Sequence, residues 1–220
     1  MKNLLMAAGA VFATTAFLAP AFAAEQPEPA TPGFKLLYDE TLTTENVEPL
    51  PAHGLKIGET EVQLELTSLT DLQKTYGGEI SDFNGENRGK SWLCYALPAN
   101  ATAPASLAWF VSDGVMGNNY GINFVVVEVA PAGDTPTCVA PTTPLVLTST
   151  LPSLGAPVAD VVKAIPGLDA KDDGVLSYGG EIPVPAYLKF EGEAATGSVI
   201  NYQITKGVVT IRTISQVSAM

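Results

Sequence analysis

The sequence predicts an α+β fold of two tandem repeats, each a short helix packed on an antiparallel sheet. Three observations lead there. The chain holds 20 Gly and 17 Pro with only 15% charged residues, a balance that favours strands and turns over long helices. One order of elements can be read twice, from Leu55 and again from Pro144: a strand, a short helix, then three strands. Matching residues also fall in the same order in both readings. Asp71-Leu72 corresponds to Asp160-Val161, Tyr95 to Tyr178, Phe110 to Phe190, and Ile122-Asn123-Phe124 to Ile200-Asn201-Tyr202.

Taken in chain order, residues 1–23 read as a cleavable export signal. Lys2 gives the positive start, Leu4 to Leu18 carries no charge, and Pro20 precedes the small-x-small tripeptide Ala21-Phe22-Ala23. A retained anchor needs about 20 continuous apolar residues, and Pro20 and Glu25 interrupt this run. The expected location is therefore periplasmic or secreted, with no membrane insertion of the mature chain. Residues 24–33, rich in Pro and Ala, read as a disordered lead-in.

Residues 34–130 form the first repeat. Phe34 to Tyr38 reads as a short strand, and Thr41 to Val47 as a helical turn stopped by Pro49 and Pro51. Val62, Leu64 and Leu66 alternate as in a strand, and a helix over 69–76 ends at Gly77-Gly78. Strands follow over 92–97, 107–111 and 122–129. The linker, 131–144, holds four prolines, and residues 145–220 form the second repeat. Its helix, over 156–165, has a physical basis: Val158, Val161, Val162 and Ile165 recur at helical spacing as one apolar stripe. Pro157 suits a first turn, and Pro166-Gly167 stops the helix. Strands are expected over 175–178, 187–190 and 199–205. A closing strand over 208–214 pairs with the last of these through Thr205-Lys206-Gly207.

Charge and cysteine content narrow the partners. The 23 acidic residues against 11 basic ones give a net charge of −12, and signal cleavage removes one base and no acid. That sign repels phosphate backbones, so no nucleic acid is expected. Cys94 and Cys138, the only two cysteines, lie in the exported part and predict one disulfide. In the chain-entropy model such a loop contributes roughly 3–4 kcal/mol. The pair lacks the close spacing of a redox-active Cys-x-x-Cys.

The second half also carries a recognisable arrangement: Leu154-Gly155, Asp160-Val161, Ile165-Pro166-Gly167, then Leu176-Ser177-Tyr178 and a hairpin. Over about 60 residues this resembles the small-domain family that includes the tandem-repeat beta-lactamase inhibitor protein and the outer-membrane assembly lipoproteins. It departs in its Pro-Gly stop, its long loops and its lack of a lipid-attachment Cys. The resemblance implies a binding or scaffold module that offers a curved sheet to a protein partner.

Catalytic constellations are weakly marked. His53 is the only histidine, so a zinc site lacks ligands, and no metal or cofactor is expected. A Ser-His-Asp triad would have to use His53, and neither Ser91 nor Ser112 sits in a Gly-x-Ser-x-Gly elbow. His53 therefore reads as an exposed loop residue. Asp169 to Gly174 has Lys171 at the third position of a would-be calcium loop and reads as a solvated turn. Asn100-Ala101-Thr102 fits a glycosylation sequon and is expected bare in a bacterial chain.

Aromatic residues crowd the expected strands. Alternation puts Trp92 with Cys94 on one face and Leu93 with Tyr95 on the other, and Trp109 opposite Phe110. With Tyr95, Phe110 and Tyr178 under the helices, Trp92 and Trp109 lie on the open sheet face. Together with Tyr120 they are the candidate binding residues; a second layer over that face is the competing arrangement. The expected function is a non-enzymatic, extracytoplasmic or envelope-associated module recognising a protein partner through its sheet. The main alternative is a secreted hydrolase using a pair of the many acids. A third reading, small-ligand carriage, requires an apolar cavity between the repeats.

Overall fold

The computed structural model describes residues 29–85, 88–101, 103–114, 121–132, 138–165, 167, 169–185 and 195–219. The export signal and Tyr120 lie outside these residues, as does the strand expected over 187–190. So does part of the linker, of which 131–132 and 138–144 are described.

Helix α1 (Pro32–Leu36) opens the described chain, followed by three two-residue strands, β1 (Glu45–Asn46), β2 (Lys56–Ile57) and β3 (Thr60–Glu61). Helix α2 (Leu69–Tyr76) precedes the strands β4 (Ser81–Gly85), β5 (Arg88–Leu97), β6 (Ser106–Asp113) and β7 (Phe124–Val129). The short β8 (Leu147–Thr148) and helix α3 (Val158–Ala164) lead to β9 (Gly174–Ile182), β10 (Ala195–Thr205) and β11 (Val208–Ala219).

Eight strands make a single sheet in the order β1-β9-β10-β11-β7-β6-β5-β4, and β3-β2-β8 make a small second sheet. Every pairing in the large sheet is antiparallel except β1 with β9. The halves of the chain join where β11 pairs with β7, Ile214 opposite Val125. The expectation of an α+β fold made of two repeats is thus overturned: the protein is mainly β, with one continuous sheet through both halves. Among the described residues three short helices are present, and none is long and apolar enough to cross a membrane.

Local signals explain each helix. Ser68 caps α2 by accepting from the Asp71 N–H, while the Asp71 carboxylate accepts from the Ser68 N–H, a reciprocal capping box. Three of the four stripe residues of α3 are buried, Val158, Val161 and Ile165, while Val162 is half-buried. Residues 34–38 differ from expectation. Pro32 fixes a helical start, and the Thr31 hydroxyl accepts from the Phe34 N–H, so the segment begins as a helix rather than a strand. Thr31 to Gly33, read above as lead-in, belong to that helix and its cap.

The sheet is covered on both faces. One core packs Leu93, Tyr95, Phe110, Val125, Tyr178 and Tyr202 beneath α2, α3 and the small sheet. A second core on the opposite face joins Trp92, Cys94, Trp109, Val111 and Val126 to Phe34 and Leu36 of α1. The disulfide Cys94–Cys138 ties the linker to the edge of β5. Beside it the Ala96 N–H donates to the Val139 carbonyl, and the Val139 N–H donates to that of Cys94. Linker backbone thereby occupies an edge that β4 leaves uncovered.

Glu128, buried to 2% exposure, fastens α1 to the sheet. Its carboxylate accepts from the Gly33 N–H at 2.8 Å and from the Trp109 Nε1–H at 2.8 Å. A carboxylate at a helix start also meets the positive end of the backbone dipoles. Only glycine fits at position 33, because a Cβ there would lie 2.6 Å from Val126 and 2.8 Å from Glu128. Replacing Glu128 by Ala leaves two buried donors without an acceptor. Each costs about 1–3 kcal/mol, so E128A should lower stability by about 2–6 kcal/mol in urea unfolding followed by Trp fluorescence. Trypsin should then cut at Lys35. An unchanged midpoint with no new cut would show that Glu128 does not hold α1.

Candidate functional site

The candidate site is a cavity of about 580 Å³ between the two halves of the chain, a volume typical of small-molecule sites. Its walls come from the end of β5, the turn into β6, Val127 of β7, the end of the linker from Ala140 with Leu145 to Leu147 after it, and Ser153-Leu154 ahead of α3. Leu145, Leu154 and Val127 are buried at its floor, while Val146 is 58% exposed beside it. Four prolines, Pro98, Pro104, Pro141 and Pro144, stand in the walls.

Among the described residues one charged group, Arg212, borders this space. Arg212 lies mid-strand on β11, opposite Tyr202 of β10 and Val127 of β7. Ile211 belongs to the core under α1 and Ile214 to the other core, so alternation turns Arg212 toward α3 and the linker. Its side chain is 5% exposed. Nη1 donates to the Leu151 carbonyl at 3.2 Å and to that of Pro152 at 3.1 Å. Burial pulls its pKa below the usual arginine value, and Tyr202 opposes that shift; an arginine guanidinium keeps its charge inside a protein.

Tyr178 and Tyr202 stand near it in an edge-to-face pair, ring centroids 6.5 Å apart. Neither hydroxyl has a hydrogen-bond partner among the described residues. Burial pushes Tyr178 up to about 12 and raises Tyr202 further, with the Arg212 charge working against that rise. Tyr95, raised to about 12 by burial, differs in donating its hydroxyl to the Gly77 carbonyl at 2.9 Å.

The aromatic residues expected to bind fall elsewhere. Trp92 and Trp109 do lie on the face opposite Tyr95 and Phe110. They are not open there: their exposures are 5% and 2%. The Phe34 ring of α1 packs edge-on against both at 5.7 Å. Tyr120 lies outside the described residues. A second depression, about 520 Å³, opens where Glu48 and Glu181 flank Gly197, Val199 and Val217.

His53 is half-buried rather than exposed. Its Nδ1 accepts from the Leu55 N–H at 3.1 Å, which puts the proton of the neutral ring on Nε2. Asp169 to Asp173 are exposed, as a solvated turn requires. There the Asp173 carboxylate accepts from the Lys206 N–H, and the Asp172 carbonyl from that of Gly207. Among the described residues no group of three His, Cys, Asp or Glu is placed to hold a metal.

No family model, no curated protein and no solved structure matches the chain. The site therefore stands on its own chemistry. Sequence reasoning missed Arg212, although one signal was present. It is the only charge between Val208 and Ser218, in a run otherwise rich in β-branched residues.

The His53 environment gives a pH dependence. Burial, the largest cause, lowers its pKa below the normal 6.5, with Glu61 opposing and Arg212 assisting. The unfolded chain titrates near 6.5, so it takes up the proton first as pH falls. Stability contributed by neutral His53 is present above about pH 6.5 and is lost as pH drops from there toward the lowered folded value. His53→Asn keeps an acceptor for Leu55 without titrating. The unfolding midpoint of the unmodified protein should therefore fall more between pH 7.5 and 5.5 than that of H53N. Parallel profiles would contradict the assignment.

Proposed function

We propose that the protein is an extracytoplasmic binding module whose recognition site is the cavity between the two halves of the chain. The carrying observation is the pairing of aliphatic walls with a single buried guanidinium. Cavities that bind small molecules are mostly apolar, with a few placed polar groups that fix orientation, and this one has that composition. The disulfide and the described helices, none long and apolar enough to span a membrane, are compatible with an exported chain. The export signal read in residues 1–23 supports the same location.

This reading moves recognition from the sheet face to the space between halves. A protein partner engaging Trp92 and Trp109 would first have to lift α1 and break both Glu128 hydrogen bonds. A small ligand entering beside Val146 needs neither step. The role is carriage or sensing of a small molecule rather than turnover.

Filling the cavity tests the site. Ala103 borders it on the turn before β6 and is partly exposed, so a larger side chain can be carried there without entering either core. Ala103→Trp should leave the unfolding midpoint within about 0.5 kcal/mol of the unmodified protein. It should weaken uptake of an environment-sensitive apolar dye at least tenfold, measured by fluorescence titration. Equal uptake by both proteins would place recognition elsewhere. Hydrolysis of a model ester or glycoside by the purified protein would point to the enzyme instead.

A further inference from the structure

We infer that the cavity takes a monocarboxylate carried on an aliphatic body, with the carboxylate held by Arg212; this rests on the cavity being the recognition site. A guanidinium has five N–H donors, and Arg212 uses its two Nη1 hydrogens on the carbonyls of Leu151 and Pro152. The Nε hydrogen and both Nη2 hydrogens have no hydrogen-bond partner among the described residues, nor does any described carboxylate lie within ion-pair distance. A charge nine-tenths buried is costly unless it is paired and hydrogen-bonded. Two carbonyls supply acceptors but no countercharge. The side chain borders an open volume, so an anion can reach it.

The class of anion follows from shape and charge. Nε and Nη2 present the parallel pair of donors that matches the two oxygens of a carboxylate. One guanidinium neutralises one negative charge. A more highly charged anion would enter a low-dielectric pocket with its excess unpaired, against a chain whose net charge is −12. The body is set by the walls. Leu145, Leu154 and Val127 are buried near Arg212, and Leu97, Leu147 and the exposed Val146 continue the apolar surface outward. The ligand lies with its head inward at Arg212 and its tail toward Val146. Among the described residues no aromatic side chain lines the space, so an aliphatic tail fits better than a ring that needs stacking.

The test compares decanoate, methyl decanoate and decyltrimethylammonium on the purified, oxidised full chain by titration calorimetry. The three share a tail and differ in head charge. Decanoate should bind about tenfold or more tightly than the ester and the cation, the fold-change expected from a charge-assisted pair. Arg212→Gln should abolish the preference while still binding the ester, and Arg212→Lys should restore part of it. Should R212Q fail to fold because it loses the Leu151 and Pro152 bonds, the comparison on the unmodified protein still decides. Equal binding of acid and ester there, with A103W blocking both, would overturn the carboxylate assignment and leave the cavity as the site. Binding of none of the three would overturn both.

Discussion

Two strands at the centre of the sheet have no polar side to offer water, and the architecture follows from that constraint. All eight residues of β6, Ser106 to Asp113, are buried, and so are all but the last of β7. A strand with one wet face alternates; these do not. Both faces must be roofed, and no single helix can do that. The chain therefore places α2, α3 and the small sheet on one side and brings α1 back from the N-terminus to the other. Burying an indole removes about 150–250 Å² from water, worth about 4–6 kcal/mol at the usual area coefficient. Burial of Trp92 and Trp109 offsets part of the cost of enclosing the Glu128 carboxylate. That carboxylate recovers part of its lost hydration from Gly33 and Trp109.

Local structure was legible in part, whereas assembly was not. Residues 41–47, read as a helical turn, hold the strand β1, and the alternating Val62, Leu64 and Leu66 fall in coil and a turn rather than a strand. Helix α2 falls over the residues its pattern marks, and the strand alternation assigns Trp92, Cys94, Leu93, Tyr95, Trp109 and Phe110 to their correct faces. The run Ser106-Leu107-Ala108-Trp109-Phe110-Val111 already lacks alternation. Given its full weight, that run calls for cover on both sides. The apparent repeat misled for an instructive reason. Ile122-Asn123-Phe124 and Ile200-Asn201-Tyr202 belong to the segments that flank β11 on its two sides. Each isoleucine enters the same core. Asn201 donates to the Thr213 hydroxyl and the Asn123 carbonyl accepts from the Gln216 N–H, both on β11. The likeness stops there: Phe124 lies in the core under α1 while Tyr202 lies in the other core. Asn123 meets β11 through its main-chain carbonyl whereas Asn201 uses its side chain, so the matching residues are not copies of one unit.

The site was less legible because it depends on contacts between distant segments. Arg212 on a strand with one free face would be a solvated surface cation, the commoner case. It becomes a buried charge because β11 lies inside the sheet, between β10 and β7, and because Leu151 and Pro152 cross above it. Neither fact is carried by the residues around position 212. The indoles fail as a surface for the converse reason. The residues that cover them, Phe34 and Leu36, come far earlier in the chain, in a stretch whose helical start depends on Thr31 and Pro32.

The cavity has a physical origin in the prolines that border it. Linker backbone pairs with β5 at Val139 and would extend that edge if it continued, but Pro141 and Pro144 have no N–H to donate to a ladder. Pro98 likewise ends β5 after Leu97, and Pro104 fixes the chain just before β6 resumes. The two segments diverge instead of zipping together, and their φ angles are locked, so the gap between them does not close by small backbone adjustments. Leu145 and Leu154, from the segments before and after β8, floor it together with Val127 of β7. Arg212 is the one place in that floor where charge is left to be met. A rigid, apolar recess with a single fixed cation is pre-organised in the sense that matters for affinity: little ordering remains to be done when a ligand arrives.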